Sequence, residues 1–337
     1  MAQMKYFYEL TISSSPHVHS PITTRTIMRD VLIALVPAMV MSVVFFGTRA
    51  LTVTAVSVLA CYMFEKLYCK ITGMDDKTYD LSACVTGVLL AFVCPVTIPY
   101  WTIVLGAAFA IMLVKMLFGG LGRNIVNPAL AGRAFMFSWP VLMSTWVKVG
   151  AENAAPVIGK FPAIDGADIV TAATPLANMH QGIMCEESIL ELFLGNVGGC
   201  IGETSAIALL IGLGYLLWRK VITIRIPAAY ILTVAILTFL FPMGNDRIAW
   251  MAAQVFGGGL MLGAIFMATD YVTSPVTKLG QIIYGIGCGA LTVLIRYFGG
   301  YNEGVSYAIL VMNTCVVLLD KIGRPVKFGA PKKEAAK

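Results

Sequence analysis

The chain has 337 residues, of which 58% are hydrophobic and only 12% are charged, and its formal net charge is +6. A soluble domain of ordinary composition is about 45–50% apolar and about 25% charged. The sequence therefore lacks the polar residues that a water-facing surface needs. This excludes an ordinary soluble globular protein and predicts an all-α polytopic membrane protein.

The hydrophobic segments predict about ten transmembrane helices, because a helix needs about 20 mainly apolar residues to cross a bilayer. The segments are 31–47, 50–67, 81–97, 99–118 and 134–147, followed by 199–218, 226–243, 249–268, 280–298 and 305–320. The predicted divisions of the chain are a cytoplasmic N-terminal segment 1–30, a first five-helix half 31–147, a polar segment 148–198, a second five-helix half 199–320 and a basic tail 321–337. An odd number of helices in each half implies that any internal repeat is inverted in the membrane.

Lys and Arg are unevenly distributed between the two sets of predicted loops. With the N-terminus in the cytoplasm, 19 of the 24 basic residues fall on the cytoplasmic side. Because cytoplasmic loops of membrane proteins are enriched in Lys and Arg, both termini are predicted to be cytoplasmic. The polar segment 148–198 is then extracytoplasmic, and loops of such length are usually functional.

Four stretches interrupt the hydrophobic pattern with Gly, Ser, Thr and isolated charges. They begin at Asp80, Phe118, Gly198 and Met267. Carboxylates at membrane depth are costly and usually functional, so Glu203 and Asp270, with the adjoining Thr204 and Ser205, are candidates for a cofactor or ion environment. The alternative is that the small residues only allow close helix packing and that Asp80 and Asp270 are helix caps.

The eight cysteines form no C-x-x-C pair or other familiar metal-ligand spacing. Most lie in apolar runs, where a cysteine behaves as a small hydrophobic residue; an iron–sulfur or zinc centre is the less favoured alternative. The sequence contains no P-loop, dinucleotide-binding glycine fingerprint, nucleophile elbow or His-based metal motif. The sequence therefore does not indicate a hydrolytic enzyme, and no nucleic-acid partner is expected.

The polar segment contains Asp168-Ile-Val-Thr171-Ala-Ala-Thr174-Pro-Leu. Its residue types alone favour a turn. The sequence nevertheless resembles the flavin-attachment motif, Ser/Thr-Gly-Ala-Thr-Pro-Leu in its common form, of one membrane-subunit family. That family includes the RnfD subunit of Rnf ion-translocating oxidoreductases and the NqrB subunit of sodium-pumping NADH:quinone oxidoreductases.

Three further segments resemble the same family in the same order, so that the resemblance covers roughly residues 20–325. They are Asn-Pro-Ala with the following Gly-Arg-Ala-Phe, Gly-Glu-Thr-Ser and Met-Ala-Thr-Asp, within 127–135, 202–205 and 267–270. Two departures are visible. Ala172 stands where the family more often has Gly, and the N-terminus is shorter than is usual in the quinone-reducing subunit. The second departure favours the Rnf type.

The resemblance implies that FMN is joined through its phosphate to Thr174, which would make the chain a phosphoprotein, with Thr171 and Asp168 in the same motif. Because a Thr hydroxyl is a weak nucleophile unless activated, the family uses a separate flavin transferase on the external face. Riboflavin, bound noncovalently, is a second expected cofactor without assigned residues.

The implied function is that of a cell-membrane subunit which receives electrons from a flavin-bearing extracytoplasmic subunit. It would couple electron transfer between ferredoxin and NAD to translocation of Na⁺ or H⁺. Two alternatives stay open: a subunit of a sodium-pumping NADH:quinone oxidoreductase, and a flavin-free solute channel or permease.

Overall fold

The computed structural model describes residues 22–75, 78–143, 146, 174–180, 182, 188–203, 205–244, 246–300 and 303–322. Over these residues the ordered elements are all helical, without a β-strand, and the predicted all-α class is confirmed. Most of the predicted segment 148–198 and of the tail 321–337 lies outside the described residues. So do three candidate site residues, Asp168, Thr171 and Thr204.

Fourteen helices are described, and we number them in chain order. In the first half they are α1 (Thr24–Phe46), α2 (Thr48–Thr72), α3 (Ser82–Phe92), α4 (Tyr100–Met116), α5 (Pro128–Met136) and α6 (Pro140–Met143). Two short helices follow, α7 (Pro175–His180) and α8 (Ile189–Leu194). The second half contains α9 (Ala206–Trp218), α10 (Arg225–Leu240), α11 (Arg247–Phe256), α12 (Leu260–Met267), α13 (Lys278–Phe298) and α14 (Val305–Leu319).

Three of these helices, α1, α2 and α13, are each long and apolar enough to cross a membrane. Helices α11 and α12 together meet the same criterion, but they are bent by 59° at the break between them. The shorter apolar helices are α3, α4, α9, α10 and α14. The three long apolar helices, together with the bent pair and the shorter apolar helices, confirm a polytopic membrane protein, and the number of ten spans stays a prediction.

The predicted boundary of the fifth hydrophobic segment was wrong. It was placed at 134–147, after the charge of Arg133, whereas α5 begins at Pro128. Asn127 starts the helix because its side-chain oxygen accepts hydrogen bonds from the backbone N–H groups of Ala129, at 3.0 Å, and Leu130, at 3.4 Å. Pro128 fits the first helical position, where no backbone N–H is needed. Arg133 therefore lies inside a helix rather than in a loop.

Two other predicted helices are interrupted by glycine. The segment 199–218 is helical only from Ala206, since Ile201 to Glu203 form a turn, and 249–268 is broken at Gly257, Gly258 and Gly259. Gly258 has a φ of +66°, which L-residues with side chains rarely adopt. Hydropathy averages over such breaks, because the glycines are themselves weakly apolar.

Four basic residues, Arg49, Lys115, Arg133 and Arg296, are no more than 2% exposed and do not belong to loops. Two of them, Lys115 and Arg133, are among the 19 residues counted on the cytoplasmic side, and Arg49 and Arg296 are among the five on the opposite side. Without them the split of basic residues is 17 to 3. The bias that predicts cytoplasmic termini therefore does not depend on buried charges.

The two halves share local features at corresponding helices. Asp80 accepts a hydrogen bond from the backbone N–H of Ser82 at 2.8 Å where α3 begins, and Asp246 accepts one from Ile248 at 3.0 Å where α11 begins. The tripeptide Pro-Val-Thr occurs at 95–97 before α4 and at 275–277 before α13. Helix α2 packs on α3 and α4, as α10 packs on α11 and α13, while α1 contacts α9 and α5 contacts α14.

Candidate functional site

A buried ionic cluster lies where α5 meets the segments that precede α9 and α14. Arg133 of α5 is 2% exposed and pairs through Nη2 with Oε2 of Glu303. Its Nη1 donates to the hydroxyl of Ser306 at 2.7 Å and lies 3.6 Å from Oε1 of Glu203. Its Nη2 also lies 3.7 Å from the sulfur of Cys200. The cluster thus joins residues from both halves of the chain.

Glu203 is positioned by the pairing of its segment with the end of α3. The backbone N–H groups of Ile201 and Gly202 donate to the carbonyl oxygens of Cys94, at 3.0 Å, and Phe92, at 2.9 Å. A Cβ on Gly202 would lie 2.2 Å from the Phe92 ring, so only glycine permits this approach. The next side chain, Glu203, therefore enters the protein interior.

The break between α11 and α12 makes room for the same carboxylate. A Cβ on Gly259 would lie 2.4 Å from Oε1 of Glu203. Arg296 of α13 holds the break in place by donating to the side-chain oxygen of Gln254 at 2.9 Å and to the carbonyl oxygen of Gly257 at 3.4 Å. Its Nε donates to the carbonyl oxygen of Glu303 at 3.0 Å, which ties the break to the cluster.

Thr174, the residue predicted to carry FMN, is buried and lies beside this cluster. Its hydroxyl accepts a hydrogen bond from the backbone N–H of Ala177 at 3.3 Å at the start of α7. Thr174 lines a cavity of about 20 Å³ together with Glu203 and Glu303. The structure therefore brings two of the predicted site residues together, and Glu303 joins them.

Thr174 also lines a second cavity, of about 240 Å³. Its lining includes Arg133 and the aromatic side chains of Phe137, Trp146 and Tyr307. Aromatic side chains can stack on a planar ring system, and a guanidinium is the side chain best suited to a phosphate. The Thr174 hydroxyl and the Arg133 guanidinium therefore suit an attached phosphate, and the aromatic side chains suit the flavin ring.

The remaining candidates separate into two groups. Ser205 is buried and caps α9, since its hydroxyl accepts from the backbone N–H of Ala208 at 3.4 Å, which is a structural role. Asp270 does not join the cluster. It lies after α12, accepts a hydrogen bond from the hydroxyl of Thr273 at 3.0 Å, and lines a different cavity.

The cavity at Asp270, which we call the inner cavity, has a volume of about 70 Å³. Its polar lining includes Ser82, Asn124, Asn127, Thr269 and Asp270. The side-chain oxygen of Asn124 is buried and accepts no hydrogen bond from the described part of the chain. A ligand or water with a donor group could therefore bind there.

A buried ion pair borders the inner cavity. Nζ of Lys115 lies 2.8 Å from Oε1 of Glu65 and donates to the hydroxyl of Ser82 at 2.6 Å. A further cavity of about 330 Å³, lined by Glu65, Asp75 and Asp80, lies on the other side of this pair. Lys115 belongs to a π-helical stretch, Phe109–Met116, at the end of α4, and such stretches are frequent at functional sites.

Sequence reasoning missed Glu65, Lys115, Arg133 and Glu303 as site residues. The signal was present for the first three, because a charge inside an apolar run must be paired or functional. Glu303 gave no such signal, since it lies between two predicted helices and looks like a loop residue.

Comparison with known proteins identifies the family. The family model described as NQR2, RnfD, RnfE matches residues 11–329. The chain belongs to this family. The resemblance inferred from the short motifs is thereby confirmed over nearly the whole sequence.

Curated members of the NQR2, RnfD, RnfE family align with almost the full chain. The D subunit of the Na⁺-translocating ferredoxin:NAD⁺ oxidoreductase complex of Acetobacterium woodii is 46% identical over 96% of this chain and 96% of its own length. The D subunit of the proton-translocating ferredoxin:NAD⁺ oxidoreductase complex of Clostridium ljungdahlii is 44% identical over 95% of this chain and 96% of its own. The D subunit of an ion-translocating oxidoreductase complex of Yersinia enterocolitica is 34% identical over 95% of this chain and 98% of its own length.

Proposed function

We propose that this chain is the D-type membrane subunit of an Rnf-type complex, which couples electron transfer between ferredoxin and NAD⁺ to ion translocation. The observation that carries this proposal is the near-complete alignment with two D subunits of ferredoxin:NAD⁺ oxidoreductase complexes, at 46% and 44% identity. One of these relatives is named for Na⁺ and the other for protons. The transported ion is therefore proposed only as a monovalent cation, Na⁺ or H⁺.

Thr174 is the proposed attachment residue for FMN, through a phosphoester. Support comes from the sequence motif, from the burial of Thr174, and from the 240 Å³ cavity beside it with its guanidinium and aromatic lining. Attached FMN would supply the electron-carrying chemistry. Arg133 would face the phosphate. Because Arg133 also pairs with Glu303, the negative charge of Glu303 would be neutralised and would not repel the phosphate. Phe137 and Tyr307 would enclose the ring.

The inner cavity is the proposed place for the second flavin, noncovalent riboflavin, because its polar lining suits such a ligand. The cavity offers amide and hydroxyl groups from Asn124, Asn127 and Thr269, and the Asn124 oxygen, which has no partner among the described residues, suits a donor on the ligand. Its volume of about 70 Å³ would have to increase for a flavin ring to enter. The side chains of this region would therefore move on binding.

The proposed topology has ten membrane crossings in two inverted five-helix repeats, with both termini cytoplasmic and the segment around Thr174 extracytoplasmic. The matched caps at Asp80 and Asp246 and the repeated Pro-Val-Thr support the repeat. The 17-to-3 distribution of the remaining basic residues supports the orientation. In this arrangement a flavin transferase and a flavin-bearing extracytoplasmic subunit would both reach Thr174 from the same face.

In-gel fluorescence tests whether the chain carries covalent flavin. The full chain, co-expressed with a flavin transferase, is denatured, washed and examined for flavin fluorescence. A fluorescent band supports the electron-carrying subunit, whereas a chain that never acquires flavin supports the permease alternative. Ferredoxin-dependent reduction of NAD⁺ by the purified complex separates the Rnf type from the quinone-reducing type.

A further inference from the structure

Glu203 has one carboxylate oxygen, Oε2, that is buried and has no hydrogen-bond partner in the described part of the chain. The residue as a whole is 5% exposed. It lines the cavity of about 20 Å³ that it shares with Thr174 and Glu303. Since a cavity of about 10–15 Å³ suffices for one water molecule, this space has the size of a single water.

The guanidinium of Arg133 does not donate a hydrogen bond to the carboxylate of Glu203. One of its nitrogens, Nη2, pairs directly with Glu303, and the other, Nη1, donates to Ser306 at 2.7 Å. The distance of 3.6 Å between Nη1 and Oε1 of Glu203 is too long for a hydrogen bond. Arg133 therefore forms its close ion pair with Glu303, whereas its contact with Glu203 is longer and involves no hydrogen bond.

Of the other titratable groups near Glu203, Arg296 and Cys94 are engaged elsewhere, whereas the Cys200 thiol contacts the Glu203 side chain and leaves Oε2 without a partner among the described residues. Arg296, on α13, donates to backbone carbonyl oxygens and to the side chain of Gln254, and forms no ion pair within the described residues. The thiol of Cys200, in the same segment as Glu203, lies 3.3 Å from the carbonyl oxygen of Val93. The thiol of Cys94, at the end of α3, lies 3.1 Å from the carbonyl oxygen of Leu90.

We propose that Glu203 is a protonated carboxylic acid that holds an exchangeable proton at the water-sized cavity, while Glu303 alone is ionised against Arg133. An ionised carboxylate with an unsolvated oxygen is costly in a buried site, whereas the neutral acid is much less so. A protonated carboxyl also has a hydrogen to donate into the cavity. Two carboxylates beside one shared guanidinium thus divide into one ionised group and one neutral group.

The place of this proton gives it a role that rests on the proposed function. Thr174 lines the same cavity, so charge that arrives at a flavin on Thr174 would act on Glu203 across a short distance in a poorly screened environment. Negative charge at that position would hold the proton on Glu203, whereas loss of that charge would favour release of the proton through the cavity to solvent, which leaves a carboxylate facing Arg133 at 3.6 Å. The site would thereby compensate changes of charge at the extracytoplasmic cofactor.

Thermal unfolding of the full chain tests the protonation without reference to the flavin. Glu203→Gln resembles the protonated acid in shape and charge, so its unfolding midpoint should equal that of the wild type. Glu303→Gln removes the ionic partner of Arg133 and should lower the midpoint clearly. Asp75→Asn, which changes an exposed carboxylate, is the control and should have no effect. A loss of stability or folding in Glu203→Gln equal to that in Glu303→Gln would overturn the proposal.

Infrared spectroscopy provides the second readout. The wild-type chain should show the carbonyl band of a buried protonated carboxylic acid, which shifts in D₂O, and Glu203→Gln should lack it. The band should persist in Thr174→Ala, because protonation of Glu203 does not depend on the flavin. Absence of the band from the wild type contradicts the proton site, whereas flavin retained in Thr174→Ala contradicts only the proposed attachment.

Discussion

Thr174 and Glu303 line the same two cavities, although 129 residues separate them in the sequence. Glu303 also pairs with Arg133, so the proposed flavin-bearing residue lies next to a buried ion pair rather than in an isolated loop. This relationship gives the attachment segment a rigid neighbour in the membrane domain. Charge at Thr174 can therefore act directly on residues that belong to the helical core.

Covalent flavin should depend on the hydroxyl of Thr174. We expect Thr174→Ala to abolish it and Thr174→Ser to retain it, because a phosphoester needs an oxygen nucleophile on the side chain. Intact-mass spectrometry should show the mass of FMN less one water in the wild type and in Thr174→Ser. Thr171→Ala, the control within the same motif, should keep its flavin. Flavin on Thr174→Ala, or its loss only from Thr171→Ala, would contradict the assignment.

The effects of replacing Lys115 and Glu65 on the free energy of unfolding should be strongly non-additive, because the two residues form a buried ion pair. Replacing one member, as in Lys115→Met or Glu65→Gln, leaves the other charge buried, which costs about 3–5 kcal/mol. The double variant should recover much of that loss, because no uncompensated charge remains. Denaturant unfolding in detergent measures the cycle, with Lys66→Met, an exposed change on the same helix as Glu65, as the control. Additive losses in the double variant would show that the two residues do not stabilise each other.

Two glycines of α9 should respond in opposite ways to a methyl group. A Cβ on Gly212 would lie 2.4 Å from the carbonyl oxygen of Ala34, so Gly212→Ala must push α1 away from α9 and should destabilise the protein. Gly214 has open space around it, and Gly214→Ala should stabilise the helix by up to about 1 kcal/mol. Unfolding midpoints of the two variants test this contact. Equal effects would mean that α1 and α9 are not packed this closely.

Asp270 should be required for ion transport but not for assembly. It is only partly buried, lines the inner cavity near Lys115, and makes its side-chain hydrogen bond with Thr273, which Asp270→Asn can largely preserve. We expect this variant to keep wild-type covalent flavin content while ferredoxin-dependent ion uptake into vesicles decreases several-fold. Transport at the wild-type rate would assign Asp270 to a structural role. Loss of the assembled complex would do the same.

The orientation can be tested by labelling introduced cysteines. A cysteine at position 160 should react with a membrane-impermeant reagent added to intact cells, because the segment is predicted to be extracytoplasmic. A cysteine at position 332 should react only after the cells are permeabilised. Both positions lie outside the described residues, so the experiment tests the charge argument by itself. The reverse labelling pattern would place Thr174 on the cytoplasmic side.

The sequence alone was sufficient for the class of protein and for its family. Low charge and high apolar content indicate a membrane protein because they are properties of composition, which no packing can change. Helices such as α13 and α14 were predicted within two residues at each end, since long apolar runs with polar flanks must be helical in a bilayer. The motif around Thr174 is likewise local and readable without a structure.

The tertiary structure alone decided which charges meet. The sequence places Arg133 and Lys115 among the cytoplasmic basic residues and gives Glu303 no role. The reason is that hydropathy is averaged over residues adjacent in the sequence and contains no information on contacts between distant segments. Burial of a charge depends instead on a partner that the fold brings from elsewhere, as Glu65 is brought to Lys115. The separation of Glu203 from Asp270 was decided in the same way. Both are carboxylates near glycine or hydroxyl residues in the sequence, but the break between α11 and α12 admits only Glu203 to the cavity beside Thr174.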